Sequence, residues 1–286
     1  MGGKAAKPSQ ELEKEWRNFD WGQKEELKKR LEKFSVSHPN VKCIKILVAG
    51  QIGAGKSSFI NSVNSTFQGR ITSAAVVDSS GVCSHSFTQQ LKAHQVRSVK
   101  GDLPFYLTDI MGLEPEALAG SQPEDVIKTI YGHVKDEYKF KPEDPINDKS
   151  QDYISDPSLS DKAFCMVYVV AADTVQYMNE QLNEKLKIIR HRIRDSRIPQ
   201  VIIMTKVDEV CPLVKEDIRK IYISKKIKEK MQLCSDNIGV PMCSIFPVKN
   251  YCDEINTDDN VDVLILKAFD QIVNLANDRL RESASK

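Results

Sequence analysis

Runs of apolar residues separated by turn-forming stretches recur along this chain and predict buried strands. The most apolar run, AFCMVYVVAA, covers 163–172, and β-branched runs cover 41–50 (VKCIKILVAG) and 199–206 (PQVIIMTK). Continuous apolar runs of this length are typical of strands that are buried on both faces, as in a parallel sheet. The run VPMCSIFPV over 240–248 predicts a further strand of the same sheet.

Helical patterns fill the segments between these strands. Amphipathic patterns predict helices over 56–67, 123–138, 175–195 and 214–234, and apolar residues line one face of 261–280. Because strands alternate with helices, the expected fold class is α/β, with a mostly parallel six-stranded sheet and helices on both faces.

Two further strand candidates differ from the rest because they are close together in the chain. They cover 86–96 and 103–110, and the turn residues KGD lie between them. This spacing predicts a hairpin, which adds an antiparallel strand at one edge of the sheet.

The segment before the first strand predicts a disordered tail over 1–10 and a helical strap over 11–40, ahead of a domain at 41–283. Gly2 invites N-myristoylation, but the pattern requires Ser or Thr where Ala6 stands, so a disordered start is the favoured interpretation. The aromatic residues of the strap either dock on the neighbouring domain, which we favour, or meet a membrane surface or a partner helix. The aromatic residues concerned are Trp16, Phe19 and Trp21, which precede an apolar helical stripe of Leu27, Leu31 and Phe34.

Residues 114–162 form an insert within the domain. Its first part has a helical pattern, but KFKPEDPINDKSQDYISDPSLSD is rich in Pro, Asp and Ser. A loop of that length is usually functional or mobile, so the insert is predicted to contain a mobile loop.

Composition narrows the class of protein. The 286 residues are 41% apolar and 28% charged with a net charge of +1, so no general attraction to nucleic acid is expected. The seven cysteines include no CxxC pair, which favours reduced thiols over a disulfide framework. No apolar run reaches the roughly 18 residues that span a bilayer, and no signal-peptide pattern begins the chain. We therefore expect a cytoplasmic protein without a transmembrane segment.

A glycine-rich loop lies between the first strand and the helix at 56–67. Its sequence GQIGAGKS fits the pattern GxxxxGK[ST]. Glycines let consecutive N–H groups point at phosphate oxygens, the helix adds the positive end of its dipole, and the lysine supplies a mobile charge. The serine hydroxyl is placed to reach Mg²⁺. The predicted phosphate-binding residues are Gly50, Gly53, Ala54, Gly55, Lys56, Ser57, Ser58 and Gly112.

The second element is LTDIMGLE, at the end of the strand at 103–110. Asp109 is expected to hold a water on Mg²⁺, and the N–H of Gly112 is expected to reach the third phosphate. A switch-loop hydroxyl completes the Mg²⁺ shell in this scheme. Thr88 is the predicted ligand because it opens a predicted strand, and Ser84 and Ser86 are the alternatives. The predicted metal set is Ser57, Thr88 and Asp109, the last through a water.

The third element selects the base. TKVD over 205–208 follows a buried strand and has the [NT]KxD form of the guanine site in small GTPases. A carboxylate there accepts hydrogen bonds from guanine N1–H and the exocyclic amine, which adenine does not offer. The lysine lays its methylene stem over the base, and the VKN turn after the last strand is expected to close over it. The predicted guanine-binding residues are Thr205, Lys206, Asp208, Lys249 and Asn250.

These motifs in this order resemble the P-loop G domain of the Ras-like GTPase superfamily. Together with the N-terminal pair of tryptophans, ILVAGQIGAGKSSFINSV, DIMGLE, TKVD and FPVKNY resemble more closely the interferon-induced protein 44 and 44-like family, over roughly residues 12–280. The resemblance implies a cytosolic GTP-binding protein with an interferon-responsive, antiviral role. GTP or GDP and Mg²⁺ are therefore the expected cofactors.

Three departures from Ras-like enzymes argue against fast hydrolysis. Leu113 follows Gly112 where such enzymes keep a glutamine that orients the attacking water. Ile52 replaces a glycine and would crowd an arginine finger, and Thr205 replaces the more usual asparagine, which predicts a looser tether between loops. We expect slow turnover that self-association, a host or viral protein partner, or a residue of the insert raises.

Three other functions stay open on the sequence alone. An ATP-using P-loop enzyme explains the phosphate loop but leaves TKVD without a role. A nucleotide-binding scaffold without significant GTPase activity explains the weak catalytic set. A membrane-acting GTPase would use residues 1–35 for peripheral contact, which we do not favour.

Overall fold

The computed structural model describes residues 10–75, 89–116 and 118–284. These residues form an α/β fold around one six-stranded sheet. The strands are β1 Ile44–Gly50, β2 Lys92–Ser98, β3 Gly101–Asp109, β4 Ala163–Ala171, β5 Gln200–Thr205 and β6 Ile245–Pro247. The α-helices are α1 Lys24–Glu32, α2 Lys56–Gln68, α3 Pro123–Ile130, α4 Glu180–Arg194, α5 Val207–Val210, α6 Pro212–Glu216, α7 Lys225–Ile238 and α8 Asp259–Ala284.

The strands lie in the order β2-β3-β1-β4-β5-β6, and every pairing is parallel except that of β2 with β3. This confirms the predicted sheet and its antiparallel edge. The chain runs from β1 to β3 on one side of β1 and then crosses to β4 on the other. In open α/β sheets, ligands bind beyond the carboxyl ends of the strands where the order reverses in this way.

Alternation along β1 sends side chains to two separate cores, one on each face of the sheet. Leu47 and Ala49 join the core beneath α3, α4 and α7, whereas Ile46 and Val48 join the core beneath α1, α2 and α8. Burial on both faces explains why the strand reads as a continuous apolar run in the sequence.

The strap packs on the domain at two places. The ring of Trp16 lies 5.2 Å from that of Tyr222 in an edge-on arrangement, which matches the favoured interpretation of the aromatic residues. Leu27 and Leu31 of α1 are buried in the second core. Arg30 makes a bidentate pair with the buried carboxylate of Asp270: Nε donates to Oδ1 at 2.9 Å and Nη2 donates to Oδ2 at 2.6 Å.

Several predicted boundaries were wrong. The strand expected over 86–96 begins at Lys92 and ends at Ser98, and 86–88 lie outside the described residues. The strand expected over 240–248 has three residues, because Met242–Ser244 form a 3₁₀ turn. The strap is helical only over α1, and the helix expected over 175–195 begins at Glu180, where Asn179 caps it.

Two helices were predicted too long because the periodic pattern continues past a cap. The segment 214–234 divides into the end of α6, a 3₁₀ turn at Ile218–Tyr222 and most of α7, because the Ser224 hydroxyl caps a new helix at Ile227 N. The segment 123–138 is helical only through α3. The rest of the insert has little regular structure, yet Val134, Tyr138, Phe140 and Ile146 are buried in the first core. Its mobility stays a prediction.

Candidate nucleotide-binding site

The phosphate loop connects β1 to α2 at the point where the strand order reverses. Its backbone turns through a left-handed residue, Gly55 with φ +91°, immediately before the first residue of α2. Only glycine adopts this conformation without strain, so the helix begins there with its free N–H groups facing back across the loop. The predicted phosphate-binding residues Gly53, Ala54 and Ser58 lie in this turn and in the first turn of the helix.

The lysine of the loop is folded over it and is largely buried. Lys56 Nζ donates to the carbonyl oxygens of Gly50 and Gln51, at 3.2 Å each. The ammonium therefore lies above the mouth of the loop, and it is placed to exchange these carbonyls for phosphate oxygens, which bind an ammonium more strongly.

Two predicted metal ligands meet beside the loop. Ser57 Oγ donates to Asp109 Oδ2 at 2.8 Å. The contact follows from the sheet register, because β3 pairs with β1 so that Asp109 lies opposite Val48. Asp109 is 1% exposed. The third predicted ligand, Thr88, lies outside the described residues.

Gly112 touches the phosphate loop directly. A Cβ atom built on it would lie 2.4 Å from Ile52 Cγ1 and 3.0 Å from Ile52 N, so a larger residue does not fit without displacing the loop. The next residue, Leu113, is fully buried and donates its N–H to Gly50 O at 3.0 Å. Its side chain has no access to a water in the site.

The TKVD motif is tied to the phosphate loop. Thr205 Oγ1 donates to Ala54 O at 2.6 Å, and both residues are buried. Asn250 Nδ2 donates to the neighbouring carbonyl, Gly55 O, at 3.1 Å. Two side chains therefore bond to adjacent carbonyls of the loop. The looser tether expected from Thr205 stays a prediction. The amide of Asn250 thus holds the backbone of the loop, and its contact with the base stays a prediction.

The remaining guanine-site residues form partly exposed ion pairs. Lys206 Nζ lies 3.6 Å from Asp173 Oδ2, and Lys249 Nζ lies 3.9 Å from Asp208 Oδ2. Lys249 also pairs with Glu254 at 2.8 Å. Burial opposes the charge of Lys249, but the two carboxylates outweigh it and raise the pKa of the ammonium. The Asp208 carboxylate is thus partly exposed, and Lys249 lies beside it at 3.9 Å.

Three residues near the site were missed by the sequence analysis. Glu114 accepts a hydrogen bond from the phosphate loop, Asp173 pairs with the lysine of TKVD, and Glu254 pairs with Lys249. The only sequence signal was for Glu114, which lies two residues after the glycine of the second motif. Asp173 and Glu254 follow strands β4 and β6, whose carboxyl ends face the same edge as the loop.

Comparison with known proteins identifies relatives that are longer than this chain. No protein-family model matches the sequence. The chain is 34% identical over 244 residues to interferon-induced protein 44 of Homo sapiens, and 31% identical over 241 residues to interferon-induced protein 44-like of Homo sapiens. The alignments cover 85% and 84% of this chain and 54% and 53% of those proteins, so the chain spans about half the length of the curated relatives it matches.

Solved structures show weaker similarity. A probable GTP-binding protein engB is 12% identical, with a TM-score of 0.43 over 82% of this chain and 99% of that one. Translation elongation factor SelB from Methanococcus maripaludis, in its apo form, is 12% identical, with a TM-score of 0.39 over 84% of this chain and 34% of that one. Scores this low carry no argument about function.

Within the described residues, no helix has both the length and the apolar character to cross a membrane.

Proposed function

This chain belongs to the family of interferon-induced proteins 44 and 44-like, and we propose that it binds GTP or GDP together with Mg²⁺ at the site described above. The observation that carries the proposal is the 2.6 Å hydrogen bond from Thr205 to Ala54 O. It holds the TKVD motif against the phosphate loop, although 151 positions separate the two residues. A single nucleotide could then contact the phosphate loop through its phosphates and the TKVD motif through its purine base.

The chemistry of the donor set fits Mg²⁺. Among the described residues, no group of three or more His, Cys, Asp or Glu side chains is arranged to hold a metal. Mg²⁺ does not need such a cage, because it is commonly bound by one or two protein oxygens together with phosphates and waters. The Ser57 hydroxyl would bind the ion directly, and the Asp109 carboxylate, 2.8 Å from that hydroxyl, would hold it through a water. When bound, the ion would neutralise charge on the outer phosphates.

Each end of the nucleotide has its own recognition chemistry in this proposal. The N–H groups of the loop and Lys56 bind the phosphates. Asp208 accepts the N1–H and amine of guanine, and in doing so it leaves its distant partner Lys249, 3.9 Å away. An adenine nucleotide would leave this carboxylate without donors, which is the physical basis for the preference for guanine.

Hydrolysis is slow in this proposal. The position that orients the attacking water in Ras-like enzymes is taken by Leu113, which is buried and bonded through its backbone to the loop. The same observation favours a second candidate, a nucleotide-binding scaffold without significant GTPase activity. A purified protein that turns over GTP at or above about 1 s⁻¹, the low end of ordinary enzymes, would contradict both.

The cellular role is proposed from the relatives. They are interferon-induced by name, and we expect this chain to be induced by interferon and to act in the cytoplasm in an antiviral response. A lack of any rise in its transcript or protein after interferon treatment would contradict this part of the proposal.

Mass spectrometry of the native purified protein tests the binding proposal. GDP or GTP is expected in close to equal amount with the protein, and Lys56→Ala is expected to lose it. Thermal melting of both proteins shows whether the variant is folded. Co-purification of an adenine nucleotide instead would contradict the proposal.

A further inference from the structure

The residues after the second motif fold back onto the phosphate loop. We call residues 112–121 the return loop, of which residue 117 is outside the described part. Leu113 N donates to Gly50 O at 3.0 Å, and Ser121 N donates to Gly112 O at 3.0 Å. The return loop therefore forms one wall of the site, fixed at both of its ends through backbone hydrogen bonds.

A carboxylate of the return loop is bonded to the phosphate loop itself. Glu114 Oε1 accepts a hydrogen bond from Ile52 N at 3.2 Å. Burial raises the pKa of the Glu114 carboxyl, as does the nearby Glu116, whereas the Ile52 N–H, Lys56 and Lys185 oppose the rise. A half-buried carboxyl thus lies against a loop whose other N–H groups are expected to bind phosphate.

The position of this contact relative to the nucleotide follows from Gly112. A Cβ atom built on Gly112 would lie 3.0 Å from Ile52 N, so the Ile52 N–H is near the residue whose own N–H is expected at the third phosphate. A carboxylate bonded there is close to the third phosphate of GTP and one phosphate further from the charge of GDP.

We propose that Glu114 is a specificity-determining residue that sets the preference of the site for GDP over GTP. Its carboxylate bonds the Ile52 N–H beside the position of the third phosphate, so that GTP must displace it, whereas GDP leaves the bond in place. The proposal rests on the proposed function, because it assumes a guanine nucleotide in this site. Like charges at such a distance repel strongly where water is partly excluded.

The displaced carboxylate has a cation within reach. Lys185 of α4 is buried and donates to the carbonyl oxygens of Glu116 and Ala119 in the return loop, at 2.7 and 3.4 Å. Burial lowers the pKa of Lys185, and the charges of Glu116 and Glu114 partly restore it. The charge of Lys185 would therefore attract a Glu114 carboxylate that the third phosphate repels.

Glu114→Gln tests the proposal with little change in shape. The amide oxygen of glutamine still accepts from the Ile52 N–H, so the loop keeps its geometry while the charge is removed. Glu116→Gln is the matched control. It removes a charge from an exposed side chain that lies two residues after Glu114. The affinities of GDP and of the non-hydrolysable guanosine 5′-(β,γ-imido)triphosphate would be measured with Mg²⁺ for each protein.

We expect Glu114→Gln to raise the affinity for the triphosphate relative to GDP by about tenfold and Glu116→Gln to change that ratio less than about twofold. An unchanged ratio in Glu114→Gln would overturn the proposal while leaving guanine-nucleotide binding intact. A fall in single-turnover hydrolysis with an unchanged ratio would assign Glu114 to orienting water instead, and it would overturn the proposal too. If the wild-type protein binds neither nucleotide, the proposed function itself fails.

Discussion

The two ends of the candidate site are held together by different kinds of contact. The phosphate side, formed by residues 50–58 with Asp109 and Gly112, is joined by hydrogen bonds of 2.6–3.2 Å, several between buried atoms. The base side, formed by Lys206, Asp208 and Lys249, is joined by ion pairs of 2.8, 3.6 and 3.9 Å. The three base-side side chains are 23–30% exposed.

This difference separates affinity from selectivity. Buried hydrogen bonds fix the phosphate side in one geometry before a ligand arrives, so little ordering remains to oppose binding. Partly exposed ion pairs contribute little stability, about 0–1 kcal/mol each, so the base side exchanges them for contacts with a base at small cost. We infer that the phosphate side supplies most of the binding free energy and that the base side selects the base.

The largest expected effect is on the phosphate side. Lys56→Ala removes the only charge that the loop presents to the phosphates, and charge-assisted bonds to such a group are the strong ones. We expect affinity for GDP to fall by about 100-fold or more, which corresponds to roughly 3 kcal/mol, measured by calorimetry. Lys228→Ala, an exposed lysine on α7, is the control. A loss of less than fivefold would mean that the phosphates do not lie in this loop.

The next effect changes the base that is selected and leaves the phosphate side as it is. Asp208→Asn replaces an acceptor by an amide, which leaves the N1–H of guanine poorly matched but suits the C2 carbonyl of xanthine. We expect the affinity for GTP to fall by about tenfold or more and that for xanthosine triphosphate to rise. Asp253→Asn, on an exposed residue of the segment that follows β6, is expected to change neither. Equal losses for both nucleotides would show that Asp208 does not read the base.

The third prediction concerns the hydrogen bonds from Thr205 and Asn250 that join the base side to the phosphate loop. Thr205→Val keeps the shape of the side chain but leaves the buried Ala54 carbonyl without its 2.6 Å donor. We expect a loss of about 1–3 kcal/mol in the free energy of unfolding, measured in urea, with Thr205→Ser recovering most of it. Because Asn250 holds the adjacent carbonyl, the double variant with Asn250→Ala should deviate from additivity. Strict additivity would mean that the two tethers act independently.

The smallest effect is expected from the ion pair at the outer edge of the base side. Glu254→Gln breaks a 2.8 Å pair with Lys249 in which both side chains are about 30% exposed. Solvent screening limits its worth to about 0–1 kcal/mol of stability. Despite burial, the bonds from Lys249 and the Cys252 N–H lower the pKa of Glu254, so its stabilisation is present above the ordinary pKa of glutamate and lost as the pH falls through the lowered one.

The measurement for this pair is the difference in unfolding free energy between wild type and Glu254→Gln, followed from pH 7 downward. It should shrink as the pH falls through the acid range. Glu229→Gln on an exposed face of α7 supplies the reference. A difference that grows on acidification would contradict the assigned pair.

The sequence predicted the phosphate side better than the base side, for a physical reason. The loop between β1 and α2 is local, and its glycines, lysine and serine are recognisable because strand, turn and helix follow one another without a gap. The contact of Ser57 with Asp109 also follows once β1 and β3 are known to be parallel neighbours. Residues of this kind are found from motif spacing together with strand order.

Side-chain contacts across long separations were not predictable in this way. Asn250 bonds to Gly55 over 195 positions, and Glu114 bonds to Ile52 over 62. Neither contact leaves a pattern in the sequence, because each depends on where two loops end in space. The over-long helices have a different cause, since an apolar period continues through Ser224 while its hydroxyl caps a new helix.

Competition between nucleotides tests the central claim most directly. A fluorescent GDP analogue would be bound to the wild-type protein in the presence of Mg²⁺ and then displaced by unlabelled GDP, GTP or ATP. The account predicts displacement by GDP and GTP at concentrations at least about 100-fold lower than by ATP, because ATP leaves the Asp208 carboxylate without its donors. Equal displacement by ATP would contradict the claim that this site selects guanine.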